Sequence, residues 1–202
     1  MIRRNLSIRS RGTSLTFRRH RGFTIVEVMM SIVLIAIGSA LALPSYRSMV
    51  EKRQLTNSAE QLSSFINTVQ SISSRTNQVI TVSSNRDADD DWCIGATMGD
   101  AACNCEVTDD SSLEYCEIDS QLFVLNQDVS GGSELMSGIT GSGTYSFDPI
   151  RGLFLDLNDS IAMEMHSYSG DYRLNLVVNN TGRVIVCSDD ASHNVPGYKV
   201  CP

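Results

Sequence analysis

Hydrophobic positions fall into three regimes along the chain. Residues 23–43 are apolar almost without interruption and carry a single charge, Glu27. A helix of that length reaches about 31 Å, the thickness of a bilayer's hydrocarbon core. From there the pattern changes. Leu55, Leu62, Phe65, Ile66, Val69 and Ile72 recur at helical spacing, with Glu51, Lys52, Gln54, Asn57, Glu60 and Gln61 between them, so the helix continues with one apolar face and one wet face. The stripe is too short for sustained coiled-coil heptads, which predicts packing along a sheet. Pro44 stands between the two halves. Lacking an N–H, it is expected to kink or locally open the helix at the membrane exit.

From residue 78 the period shortens. Segments 78–83, 121–126, 143–147, 152–157, 161–166, 172–178 and 183–188 read as strands separated by turn residues. Leu174, Leu176 and Val178 share one face, as do Val184 and Val186. Phe147-Asp148-Pro149-Ile150-Arg151-Gly152 and Asn179-Asn180-Thr181-Gly182 carry the Asp, Asn, Pro and Gly of tight turns, which predicts antiparallel hairpins. Residues 131–143, with five glycines, read as a flexible connection. One long N-terminal helix followed by antiparallel strands is an α+β arrangement.

Charge is distributed unevenly. Residues 1–22 hold seven arginines (Arg3, Arg4, Arg9, Arg11, Arg18, Arg19 and Arg21), one histidine and no acid. They read as a leader, and they place the N-terminus in the cytoplasm and the rest of the chain across the membrane. Without them nine basic residues face 23 acidic ones, a formal charge of −14. Such a chain has no general affinity for nucleic acid or anionic lipid.

The junction of leader and apolar segment, Gly22-Phe23-Thr24-Ile25-Val26-Glu27 behind basic residues, resembles the type IV prepilin processing site. The resemblance implies cleavage after Gly22 by a prepilin peptidase, methylation of the new terminus at Phe23, and a role for Glu27 in meeting the charged terminus of a neighbouring subunit. Pro44 also stands where pilins often carry a proline. The residues before and after the cut then divide into a leader (1–22), a transmembrane and filament-core helix (23–43), an amphipathic half-helix (44–76) and a β-rich head (77–202). The Asp148-Pro149 turn, the Asn180-to-Cys187 strand and the closing Pro196-Gly197-Tyr198-Lys199-Val200-Cys201 look like the GspH/FimT group of minor pilins and pseudopilins. That implies the type IV pilin fold, a subunit of the pilus or its initiating complex, or alternatively a pseudopilin of a type II secretion system. Implied partners are other pilins, the peptidase/methylase and an inner-membrane assembly platform. The head would lie in the periplasm before assembly into a filament.

All six cysteines lie in the exported part, which favours disulfides. Cys187 and Cys201 enclose a short loop holding Pro196 and Gly197 and are expected to pair. Cys93, Cys103, Cys105 and Cys116 allow three pairings, and sequence does not choose among them; a four-cysteine zinc site is disfavoured because C-x-x-C knuckles are absent. Asp87, Asp89, Asp90 and Asp91 could offer oxygen ligands to calcium, but the stretch lacks an EF-hand's glycine and distal glutamate, so a solvated run is expected. Asp156-Leu157-Asn158-Asp159 reads as a turn. No nucleophile elbow, zincin pair or phosphate loop is present, and His166 and His193 are expected as surface or sheet residues. The expectation is a structural subunit, not an enzyme, with no cofactor or metal. A tip-located binding module built on residues 87–116 is the reading from another class. Some FimT-like proteins capture DNA through a Gly-Arg-x-Arg element; here Gly182-Arg183-Val184-Ile185 has an apolar residue in place of the second arginine, so nucleic-acid binding is not expected.

Overall fold

The structure is a computed structural model and describes residues 22–86, 91–127, 144–156, 161–179, 182–189 and 192–201. The chain divides into two compact units, Met1–Leu43 and Pro44–Pro202. Helix α1 (Ile25–Thr76) contributes to both. The part of α1 from Pro44 on falls in the same unit as the strands.

Pro44 lies inside α1. The local opening expected there does not interrupt the helix. Proline leaves the carbonyl of Ala40 without its usual donor, and the loss of one bond from so long a ladder does not end it.

In the second unit the buried face of α1 is Leu55, Ala59, Leu62, Ile66, Val69 and Ile72, with Ser58 and Ser73 buried beside them. Phe65 sits at its margin, with its ring 5.1 Å from Phe123. This face packs on two antiparallel sheets. The first has the order β5–β2–β1–β6, formed by β1 (Ile80–Arg86), β2 (Trp92–Met98), β5 (Val124–Asn126) and β6 (Thr144–Phe147). The second has the order β7–β8–β9, formed by β7 (Ile161–His166), β8 (Arg173–Val178) and β9 (Val184–Ser188). A two-residue pair, β3 (Glu117–Ile118) with β4 (Gln121–Leu122), stands apart. Strands β7 and β8 alternate strictly between buried residues and half-buried or exposed ones, with Ile161, Met163, Met165, Leu174, Leu176 and Val178 turned into one core with α1.

Three expectations need correction. Residues 121–126 do not form one strand, since β4 and β5 divide them at Phe123 between two sheets. Residues 152–156 do not form a strand, and Leu157 lies outside the described residues. Gly152 N–H donates to the Asp148 carbonyl and closes a turn, after which Asp148 N–H donating to the Leu153 carbonyl and Leu155 N–H donating to that of Ser146 make a single bridge. Only Phe154 bridges back, to Phe147. Conversely, the central strand β2 was not foreseen, and β1 runs on to Arg86 to pair with it. The glycine-rich connection 131–143 lies outside the described residues.

The turn after β6 and the turn before β9 meet over α1. Gln70 Nε2 donates to the Gly182 carbonyl at 2.6 Å. Gly182 has φ +74, and a Cβ built on it would stand 2.4 Å from the Gly152 carbonyl oxygen. A side chain there is opposed by both the backbone conformation and the neighbouring backbone. Gly182→Ala is expected to cost about 2–3 kcal/mol, a melting midpoint lower by roughly 5–10 °C for a head of this size. Gly170→Ala, at φ +76 but with nothing within 4 Å, isolates the conformational part and should lower it less. Thermal unfolding followed by circular dichroism compares the two.

Candidate functional site

The start of α1 is built from the residues that precede it. Thr24 Oγ1 accepts the Glu27 N–H at 3.2 Å, and the Thr24 carbonyl accepts the Val28 N–H at 3.2 Å. Thr24 is therefore the helix N-cap and Glu27 its third helical residue, the spacing of a capping box. Glu27 also places a carboxylate in the first turn, where the helix dipole favours it. This cap was not foreseen, although Thr-x-x-Glu ahead of an apolar run is a known start signal. Gly22 and Phe23 lie just outside the cap. A cut between them would leave the cap and every helical hydrogen bond intact.

This end of the helix is apolar on all sides and, among the described residues, exposed on all of them. Phe23 is 82 % exposed, Ile35 67 % and Leu41 78 %. None of the most apolar stretch of α1 is buried. A face-less apolar helix of this length requires lipid or other helices around it. Ser31 Oγ and Ser39 Oγ donate to the carbonyls of Glu27 and Ile35, four residues back, so their hydroxyls are satisfied within the helix. The basic residues of the leader lie outside the described residues.

The cysteines form three disulfides: Cys93–Cys105, Cys103–Cys116 and Cys187–Cys201. All four sulfurs of the middle group are thereby taken, which leaves no thiolate for zinc. The first two bridges lie together on the face of β2 opposite the main core. Gly95 makes this possible, because a Cβ at that position would stand 2.3 Å from Cys116 Sγ and 3.2 Å from Cys105 Cβ. The third ties the C-terminal tail to β9 and, in the chain-entropy account, contributes about 3 kcal/mol by restricting the unfolded chain. Cys201 N–H donating to the Ser188 carbonyl and Ser188 N–H donating to that of Lys199 hold the same tail alongside β9.

Among the described residues no group of three or more His, Cys, Asp or Glu is arranged to hold a metal ion. Asp87, Asp89 and Asp90 lie outside the described residues, as do Asn158 and Asp159. Asp91 alone of its run is described, and Asp156 alone of its own run's acids. Within the cystine loop Asp109 accepts from Ser111 N–H and Oγ, and these bonds hold its exposed carboxyl below the usual range. It caps a turn. His166 Nε2 lies 3.1 Å from Glu164 Oε1 on the outer face of β7, and His193 Nδ1 is 3.0 Å from Ser192 Oγ. Arg183 is exposed at the start of β9, its N–H bonded to Asn179 Oδ1.

Residues 17–43 match the family model for the prokaryotic N-terminal methylation motif, and residues 58–182 match that for type II transport protein GspH. Among solved structures, the type IV minor pilin FimU of Pseudomonas aeruginosa (strain PAO1) is similar in two crystal forms. The first is 15 % identical with a TM-score of 0.48, covering 74 % of this chain and 98 % of that one. The second is 14 % identical with a TM-score of 0.44, covering 71 % and 98 %. No curated protein matches the chain.

Proposed function

The chain belongs to the GspH family, matched over more than half its length behind a prepilin methylation motif, and from that premise we propose that it acts as a minor type IV pilin. The observation that carries the reading is the pairing, in one helix, of a capped and wholly exposed apolar half with a half that organises a disulfide-tied head. Such a subunit works by packing. Its apolar half is held first by the bilayer and then by the equivalent helices of neighbours, and the head supplies lateral contacts. Gly22 and Phe23 flank the cut, Phe23 becomes the methylated terminus, and the head resides in the periplasm until assembly. Other pilins, the processing enzyme and an inner-membrane platform are its partners.

The second reading, a pseudopilin of a type II secretion system, is favoured by the family description itself. Shearing filaments from cells of the native host separates the two. A minor pilin is expected in the sheared fraction together with other pilins, with methylated Phe23 as its first residue by mass spectrometry. Retention at the envelope with secretion components would assign it to the second system. A chain that keeps residues 1–22 overturns both.

A further inference from the structure

The basic residues that remain beyond the leader are concentrated just past the apolar span. Arg47, Lys52 and Arg53 are three of the nine that follow residue 22, in a chain otherwise dominated by acids. Arg47 comes four residues after Leu43, about one helical turn, and Arg53 a further turn and a half or so on. Both are exposed. The acids of the same helical stretch have hydroxyl donors of their own: Glu51 Oε2 accepts from Ser169 Oγ at 2.5 Å, and Glu60 Oε1 accepts from the Tyr198 hydroxyl at 3.4 Å. Partial burial, and then that Glu60 carboxylate, raise the Tyr198 hydroxyl's pKa above its ordinary value, so the phenol stays a donor.

The same stretch borders a groove. A space of about 550 Å³ lies between α1 and the C-terminal tail, lined by Ser48, Met49, Lys52, Arg53, Val195 and Pro196, with Glu60 at its far end. Its cations stand beside apolar walls. Lys52 is held in place with Nζ 4.4 Å from the centre of the Tyr172 ring, whose hydroxyl lies 2.9 Å from Ser48 Oγ. Tyr46 is 65 % exposed on the helix turn between the span and the groove, the position of an interfacial aromatic in membrane proteins.

On the membrane reading above, we propose that Arg47, Lys52 and Arg53 form a site for the phosphate of an anionic phospholipid in the leaflet from which α1 emerges. Charge complementarity and position select this occupant. Cations within about two to three turns of a span fall at or just beyond the headgroup layer, where each Lys or Arg gains roughly a fivefold bias toward an anionic surface. The strongly acidic remainder of the chain is repelled by the same surface, so attraction would be confined to this collar.

The chain has only two lysines, Lys52 and the exposed Lys199, and this permits an internally referenced test. The full mature chain from Phe23 is reconstituted in vesicles of phosphatidylcholine alone or with phosphatidylglycerol at three parts to one, and pulsed with an amine-acetylating reagent. Phosphatidylglycerol is expected to slow acetylation of Lys52 at least threefold relative to Lys199. In the Arg47→Glu, Arg53→Glu variant the ratio should be the same in both vesicles. An equal Lys52/Lys199 ratio for the native chain in the two vesicles would overturn the proposal. So would protection that arises only when other pilin subunits are reconstituted alongside, which would assign the collar to a neighbouring subunit. Flotation of the vesicles reports the premise separately: a chain that does not float with either composition refutes the membrane reading, and the site with it.

Discussion

Gly22→Leu is expected to leave essentially the entire population of this chain at precursor mass, heavier by its 22-residue leader, with the head folded as before. The second half of that statement makes the first interpretable. Gly22 precedes the helix cap, and a Cβ built on it meets nothing within 4 Å. Thr24 Oγ1 and the Thr24 carbonyl, which start the helix, are untouched. No fold-based reason therefore exists for the variant to behave differently. What changes is access to the peptide bond after residue 22: a branched side chain there must be accommodated by a peptidase that otherwise meets bare backbone. Intact-mass measurement on membranes of the native host, with thermal unfolding of the purified chain alongside, reads both halves. Cleavage at the native rate would remove the processing assignment. An unfolded head would show that the residue has a structural role that its surroundings do not reveal.

The sequence was most readable where one physical demand governs each position. Leu62, Ile66, Val69 and Ile72 repeat at the spacing of a helix because one face alone touches the core, and the structure buries all four. Residues 161–166 and 173–178 alternate because one face of β7 and β8 is packed and the other is wet. Strand β2 was missed because both its faces are packed by different means. Ile94 and Ala96 enter the main core, while Cys93 and Gly95 face the two bridges, so five consecutive buried positions show no alternation. Gly95 is required to leave room for the Sγ of Cys116, a residue 21 positions away. The pairing of Cys93 with Cys105 and of Cys103 with Cys116 depends in the same way on where β2 lies, which spacing does not encode. The 152–157 stretch failed in the opposite direction. Leu153 and Leu155 flank Phe154 in strand-like fashion and make the two bonds of one bridge, to Asp148 and Ser146, but the pairing goes no further than that bridge. At the N-terminus one set of letters served two purposes. Thr24 and Glu27 form a helix cap within a stretch that also resembles a processing site, and the second meaning masked the first.

Glu27→Val is expected to separate insertion from assembly. The substitution keeps the Glu27 N–H and hence its bond to Thr24 Oγ1. It forfeits the favourable placement of a carboxylate in the first helical turn, about 0.3–1 kcal/mol. Against this it removes a charge from an apolar span, which costs about 2.5–3.5 kcal/mol at the bilayer centre and less near the interface where Glu27 sits. The two nearly offset, so membrane insertion should be unchanged or slightly improved. Within a filament the balance is different. If the Glu27 carboxylate faces the amino terminus that cleavage creates at Phe23 of a neighbour, the variant leaves that amine buried among apolar helices without a partner. Breaking one member of a buried pair costs about 3–5 kcal/mol, a fall of roughly two to three and a half orders of magnitude in occupancy per contact. Glu27→Gln, which retains a hydrogen-bond acceptor without the charge, should fall between the two. Quantitative mass spectrometry of sheared filaments against the membrane pool gives the ratio directly. An undiminished filament-to-membrane ratio for Glu27→Val would show that charge pairing does not set the register of these helices and that their apolar surfaces suffice.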